Sequence, residues 1–462
     1  MSTHRLFRVL AILVLAAMII SACAPAATPT PQIVSQTVVA PQTVVAKQTV
    51  VVPQTVVVPA ATATPLPKVK FTWWHISTQA VQKALFQKFA DDYMAAHPNV
   101  TIEITVLENE AFKSKLTTVM QSGNPPDLMT SWGGGVLQEY AKAGNLRDIS
   151  SLLQGAWMDT YPKGALDIFS YNGKYYGVPN DLGMVGFWYN KALFKKAGID
   201  TPPATWSDFL ADVKKLKAAG ITPIAVAGKD KWPAMYYWTY LAVRIGGKDA
   251  FDAAYTRKGK FTDQPFIDAG NTLKQLVDLK PFQNGFLGST YNDESALIGN
   301  GKAAIELMGQ WAPIVEADQS TDKKGLGDNL AWFPFPAVEG GKGNPTDAMG
   351  GGGGYIVGKN APDEAVDFLK YINKLDNTML LTKIGGIIPV VKGADAAVSD
   401  PFMQTIKQNV DKATYFQLYY DQFLPPTTAQ VVNDSIQGLF AGTSTPEQVA
   451  QQIEDSAATE LK

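Results

Sequence analysis

The sequence predicts an α/β fold in two lobes, and three observations carry that prediction. A strand, a helix and a second strand follow one another within about 40 residues, which is the signature of a parallel βαβ unit. The same alternation recurs farther along the chain. The 395 residues from Lys68 to Lys462 also exceed what one hydrophobic core usually supports. Taken in order, Val69–Trp74 reads as the first strand. Gln79–His97 reads as a helix, with Val81, Leu85, Phe89 and Tyr93 at spacing four and Pro98 closing it. Val100, Ile102, Ile104 and Val106 then alternate with Thr101, Glu103 and Thr105, a half-buried strand. A helix follows near 111–122, a strand at 127–131, a helix near 205–219 and a strand at 222–227. Further helices are predicted near 266–279, 362–375 and 446–459.

Composition excludes several functions. The chain has 40 Lys+Arg against 42 Asp+Glu, and the first 67 residues contain no acid, so the remainder carries 37 basic against 42 acidic groups. That balance excludes a nucleic-acid binder that relies on neutralising phosphates. A single cysteine, Cys23, excludes a disulfide framework, a cysteine-ligated zinc and a Cys–His catalytic pair from the folded part. Only His75 and His97 follow that cysteine, too few for a ferric site built on His and Tyr. No metal and no cofactor is expected.

The N-terminus reads as an address. His4, Arg5 and Arg8 precede the apolar run Val9–Ile20, whose 12 residues fall well short of the ~20 needed to span a bilayer. The run ends in Ile20-Ser21-Ala22-Cys23, which resembles a bacterial lipobox with Ile in place of the usual Leu. The resemblance implies that residues 1–22 are a signal peptide and that Cys23 carries lipid. The alternative is a plain signal peptide that happens to contain a cysteine; the absence of a disulfide partner favours the lipid. Residues 24–67 are built from Ala, Pro, Thr, Val and Gln, with a six-residue repeat through Gln36–Pro41, Gln42–Lys47, Gln48–Pro53 and Gln54–Pro59. Four such units bury little core and three end in Pro, so a tether over 23–67 is favoured over a β-helix. Extended at ~3.1 Å per residue, it would reach roughly 130 Å from the membrane.

The aromatics and glycines fall at strand ends and in turns: Trp73-Trp74-His75, Trp132-Gly-Gly-Gly135, Trp232-Pro233 and Gly309-Gln-Trp311. Loops at the carboxyl ends of parallel strands are where ligands bind. An indole face stacks on the C–H face of a sugar while Asp, Asn and Gln bond its hydroxyls, so the set points to a saccharide. Trp157, Trp206 and Trp332 read as structural.

Three stretches resemble the extracellular solute-binding lipoproteins of ABC importers, in the carbohydrate branch related to maltose-binding protein. They are Asn124-Pro-Pro-Asp-Leu-Met-Thr-Ser-Trp132-Gly-Gly-Gly with Tyr140–Leu146, then Tyr176–Asp181 with Trp188–Gly198 and Pro203–Trp206, and Gly301–Trp311. The resemblance implies a periplasmic-binding-protein-like fold whose lobes are joined by three crossover segments, near 179–184, 346–352 and 421–426. The first lobe would hold 68–181 and 350–423, the second 182–349 and 424–462. It also implies ligand contacts at Trp132, Asp181 and Trp311, and hydrogen-bonding positions at Asn109 and Asp421. His75 and Thr78 follow the first strand toward the cleft, Trp232, Tyr236 and Trp238 resemble the second lobe's aromatic platform, and Gly352 lies in a crossing. The run Trp132-Gly-Gly-Gly faintly resembles the branch that takes xylo-oligosaccharides or chitobiose. Implied partners are a carbohydrate, the transmembrane permease subunits of an ABC importer and, through Cys23, the outer face of the cell membrane; the chain is expected to be monomeric.

Two other readings are weaker. Gly353-x-x-x-x-Gly358-Lys359 nearly spells a phosphate-binding loop, but Asn360 stands where Ser or Thr should ligate magnesium, and Tyr355–Val357 reads as a strand. A glycosidase would need two opposed carboxylates, and Asp181, Glu306 and Asp421 show no such pairing in sequence. A serine-hydrolase triad would have to use His75 or His97, neither accompanied by Gly-x-Ser-x-Gly. The expected action is therefore binding without chemistry, of a short oligosaccharide or, failing that, of a non-sugar solute.

Overall fold

A computed structural model describes residues 66–461. The signal peptide, Cys23 with its lipobox, and the six-residue repeats lie outside the described residues. Fourteen strands are present among them: β1 (Val69–His75), β2 (Val100–Val106), β3 (Leu128–Ser131), β4 (Ser170–Tyr171), β5 (Lys174–Tyr175), β6 (Gly177–Pro179), β7 (Gly183–Met184), β8 (Gly186–Asn190), β9 (Thr222–Ile224), β10 (Ala303–Met308), β11 (Leu330–Phe333), β12 (Ala348–Gly351), β13 (Gly354–Val357) and β14 (Phe416–Leu418).

A five-stranded sheet runs β2-β1-β3-β13-β6. Its first three strands are parallel, with Val69 opposite Val100 and Trp73 opposite Leu128, whereas β13 is antiparallel to both β3 and β6. Alternation decides which side chains go where. Phe71, Trp73 and His75 of β1 are buried on one face, against Phe86 and Phe89 of helix Ala80–Ala96 and Phe368 of helix Asp363–Ile372. On the other face Met129 and Ile356 pack with Phe112 and Leu116 of helix Asn109–Gln121. Covering both faces is what a largely parallel sheet requires.

The second sheet runs β11-β8-β10-β9. Phe187, Trp188, Ile305 and Leu307 share its core with Phe209, Tyr237 and Trp238. Helix Pro446–Glu460 closes this side of the molecule, and its start is stabilised by about 1 kcal/mol through a capping box between Thr445 and Gln448 with Pro446 in the first turn.

A small sheet, β14-β12-β7, links the two. The chain leaves the five-stranded sheet after Pro179, pairs Gly183 and Met184 with Gly351 and Gly350, and returns to the large sheet across Gly352 and Gly353. Glycine is obligatory at Gly352, where a β-carbon would strike backbone, and at Gly183 it leaves room for the Gln310 side chain. A β-carbon on Gly352 would lie 2.3 Å from the Asp181 carbonyl oxygen, and one on Gly183 would lie 1.7 Å from the Gln310 amide. Arg244, fully buried, donates to the carbonyls of Pro336 (3.1 Å), Phe335 (2.9 Å) and Asp347 (2.6 Å), fastening the loop that leads into β12.

Several expectations need correction. The buried row of helix Ala80–Ala96 is Gln82, Phe86, Phe89, Ala90 and Tyr93, while Val81 is exposed. The single helix expected at 362–375 is two, Asp363–Ile372 and Leu375–Ile384, and the strand at 222–227 ends at Ile224. Trp73, counted among the turn aromatics, is a core residue against Phe86, Tyr355 and Phe368. Helix Pro401–Lys412, expected in the first lobe, packs Met403 and Ile406 into the second core, where Phe402 meets Trp188 edge-on at 5.4 Å. The strand expected at Tyr355–Val357 in place of a phosphate-binding loop, by contrast, is there: Gly354–Val357 is β13, hydrogen-bonded on both sides.

Candidate ligand-binding cleft

Between the two large sheets lies a cavity of about 220 Å³. Thr78 after β1, Asn109 after β2 and Trp132 after β3 reach it from the first lobe, each from the carboxyl end of a parallel strand. Asn180, Asp181, Gly352, Tyr419 and Asp421 come from segments flanking the small linking sheet, and Trp232, Tyr236, Tyr291 and Trp311 from the second lobe. Nine of the eleven expected ligand-binding residues therefore line one cavity: Thr78, Asn109, Trp132, Asp181, Trp232, Tyr236, Trp311, Gly352 and Asp421.

His75 and Trp238 do not. His75 is buried between Trp73 (4.9 Å) and Phe86 (5.0 Å), because alternation along β1 places it on the core face, behind the cavity wall. Burial, with help from Lys83, pulls its pKa down to about 4, so it is neutral at ordinary pH. Trp238 follows Trp232 by six residues and Tyr236 by two on helix Trp232–Tyr255. At 100° per residue, Trp232 and Tyr236 share the cleft face while Trp238 turns to the opposite side, stacking on Phe266 at 5.9 Å.

The aromatics form a continuous train. Tyr291 meets Trp232 (5.1 Å), Trp232 meets Tyr236 (5.4 Å), Tyr236 stacks on Tyr419 (5.4 Å, 29°), and Tyr419 meets Trp311 (6.5 Å). Five polar atoms of cavity-lining residues are buried without a hydrogen-bond partner in the protein: the Trp232 Nε1–H, the Tyr291 and Tyr419 hydroxyls, Asn109 Oδ1 and Asn180 Oδ1. Such groups are costly to bury unpaired, so the wall is built to be completed by hydroxyls and amides.

The carboxylates, by contrast, are engaged. Asp181 accepts from the Gly353 N–H (2.5 Å) and from Gln310 Nε2 (2.9 Å). Burial outweighs those bonds and pushes its pKa up to about 6. Asp421 lies 3.8 Å from Lys113 Nζ, which also pairs with Glu110 at 3.2 Å. Behind Tyr291, three further carboxyls are buried: Glu294, Glu306 and Glu316. Glu294 accepts from the Ala227 N–H (2.6 Å), while Glu306 and Glu316 face each other and join no ion pair. Burial first, then the charges of Glu316 and Glu294, drives Glu306 well up; burial drives Glu294 well up against the Ala227 bond, with Asp230 and Glu316 adding to it; and burial brings Glu316 to about 7. Among the described residues no His/Cys/Asp/Glu group has metal-holding geometry.

Sequence reasoning missed Tyr291, Tyr419 and Asn180. Tyr291 was detectable as the first helical residue after Thr290, within the capping box Thr290–Asp293.

Two α/β lobes, glycine-lined crossings and an aromatic cleft between them define a solute receptor. The chain belongs to the bacterial extracellular solute-binding protein family, whose model matches residues 77–378. It is 28% identical over 346 residues to an uncharacterised ABC-transporter extracellular-binding protein of Pyrococcus horikoshii, covering 72% of this chain and 74% of that one. It is 25% identical over 374 residues to the multiple sugar-binding protein of Streptococcus mutans, covering 78% and 86%. Among solved structures it resembles a protein from work on xylan utilisation by the thermophilic bacterium Caldanaerobius polysaccharolyticus (31% identity, TM-score 0.78, 84% of this chain and 99% of that chain). A chitin oligosaccharide binding protein is similarly close (28%, TM-score 0.78, 85% and 99%). Among the described residues no helix is long and apolar enough to cross a membrane.

Proposed function

We propose that this protein captures a short saccharide outside the cell membrane and delivers it to an ABC permease. One observation carries the reading: a train of five aromatic rings faces a cavity whose wall holds buried, unpaired hydrogen-bonding groups. Rings supply stacking area for the apolar face of a pyranose, and the unpaired groups supply its hydroxyl partners. Asp181, Asp421 and Lys113 are already engaged by protein groups, which argues against an amino acid or polyamine held by any of the three. The sugar-binding name of the Streptococcus mutans relative and the oligosaccharide named for one structural neighbour point the same way.

The protein acts by binding alone. The open form takes the sugar on one lobe, closure brings the other lobe's surface onto it, and the closed form is selected by the permease. In this reading Cys23 is lipidated, residues 24–67 are the tether, and the protein works as a monomer. The lobes are 68–181 with 350–397, and 182–349 with 398–462, the second taking helix Pro401–Lys412 because its apolar side packs there.

Thermal shift of the purified protein against mono- and oligosaccharides, with amino acids and polyamines as controls, tests this. A ligand at 100 times its Kd adds about 2.7 kcal/mol. A shift with one glycan class and no product formed supports the reading; a shift with only a charged small molecule refutes it.

A further inference from the structure

The cleft does not end at Trp132. Beyond that indole a second cavity of about 400 Å³ opens, sharing Lys113, Thr130, Trp132, Asp421 and Gln422 with the first. The two are one trough with Trp132 at its waist. Thr117 and Tyr140 line the new part from the first lobe, and the turn Lys229–Lys231 with Asn433 lines it from the second.

That turn is held in a strained form. Lys231 has φ 66° and ψ −45°, and the Trp232 N–H donates to the Asp230 carbonyl at 2.8 Å, closing a three-residue turn that side-chain-bearing residues avoid. Its neighbours over-determine it: the Tyr291 N–H donates to Asp230 Oδ2 (2.7 Å), the Lys229 N–H to the Ser289 carbonyl (3.0 Å), and Lys231 Nζ sits on Asp434 (2.5 Å). The result is that one turn serves both cavities, placing Trp232 in the first and Lys229 and Asp230 against the second.

Charge decides what the second cavity suits. Lys113 is balanced by Glu110 and Asp421 and Lys231 by Asp434, while the exposed Lys229 is next in sequence to the Asp230 carboxylate, which accepts the Tyr291 N–H. Asn433 Oδ1 is buried there without a protein partner, ready for a donor hydroxyl. Cancelled charges beside an unpaired amide fit a neutral, hydroxyl-bearing chain.

We infer that the second cavity receives additional pyranose units of a neutral oligosaccharide that passes over Trp132, so that ligand length sets affinity. This rests on the saccharide reading above. The test is calorimetric titration of the full chain with ladders of xylo- and chito-oligosaccharides from one to five units. In the ladder that binds, the tetramer is expected to be ~10-fold tighter than the dimer, as one or two added hydrogen bonds and a stacked ring give. Asn433→Ala and Thr117→Arg, the latter filling the cavity from an exposed helix position, should abolish that gain and leave the dimer's Kd within about twofold. Equal affinity for dimer and tetramer, or variants that weaken both alike, would overturn the inference and leave the saccharide reading intact. A uronic-acid-bearing oligosaccharide outbinding its neutral counterpart of equal length would also overturn it. No heat from any saccharide would overturn the saccharide reading itself.

Discussion

Replacing Glu316 by Gln should make the protein more stable, by an amount that grows with pH. Glu316 is buried and faces Glu306 with no cation against either, and its pKa is held up at about 7 against 4.5 for an ordinary glutamate. Between those values the folded protein keeps a proton that the unfolded chain releases, so stability falls as pH rises through the window. The full cost, present above pH 7, is roughly 3 kcal/mol. Glutamine preserves the shape and cannot ionise. Urea denaturation of wild type and Glu316→Gln at pH 4, 5, 6, 7 and 8, followed by tryptophan fluorescence, should give a stability difference near zero at pH 4 and of about 1 kcal/mol at pH 5. It should rise to about 3 kcal/mol in favour of the variant at pH 8. A variant less stable than wild type at pH 8 would refute the reasoning, since it would mean that Glu316 is ionised and paired with a bound cation.

Trp311→Ala should weaken saccharide binding by ~10–100-fold while leaving thermal stability nearly unchanged, because the ring is only partly buried and lines the cavity; titration and circular dichroism together check this. Trp238→Ala should do the reverse. It costs about 3–5 kcal/mol of stability, as a fully buried aromatic does, with the Kd of the folded protein unaltered. The His75 ring should titrate with a midpoint near 4 in proton NMR, remaining neutral at every pH where sugar is bound; a midpoint near 6.5 would place it in solvent at the cleft instead of in the core.

Much of the first lobe was legible because its signals are local. The alternation in Val100–Val106 matches β2 residue for residue. The helix before it was found, but its buried face was not. A row at strict spacing four drifts by about 40° per step on a 3.6-residue helix, so Val81 rotates into solvent and Gln82 and Phe86 take its place. The same geometry separates Trp238 from Trp232 and Tyr236. The small linking sheet was illegible: β7 is two residues long, β12 ends in two glycines, and neither has a periodic pattern to read. Of the residues quoted from family-like motifs, Asn109, Trp132, Asp181, Trp311 and Asp421 line one cavity. Tyr291 and Tyr419 were missed because a local signal such as the Thr290 capping box places a helix start but not the direction its tyrosine faces, and only the tertiary fold brings the two into line with Trp232 and Tyr236.

The position of β13 has a consequence for biogenesis. This strand lies between β3 and β6, and Phe368 and Leu369 of the following helix complete the core over Phe71 and Trp73. Nearly three hundred residues separate β1 from that helix, as the bond from the Tyr93 hydroxyl to Asp367, 274 positions away, makes plain. Until translation passes residue 372 the first lobe lacks an interior strand and one wall of its core, so it has no stable native form to adopt early. Contacts this distant in sequence form slowly. A chain whose first lobe closes this late stays open over most of its length while it is being made, which is compatible with the extracellular station of its family.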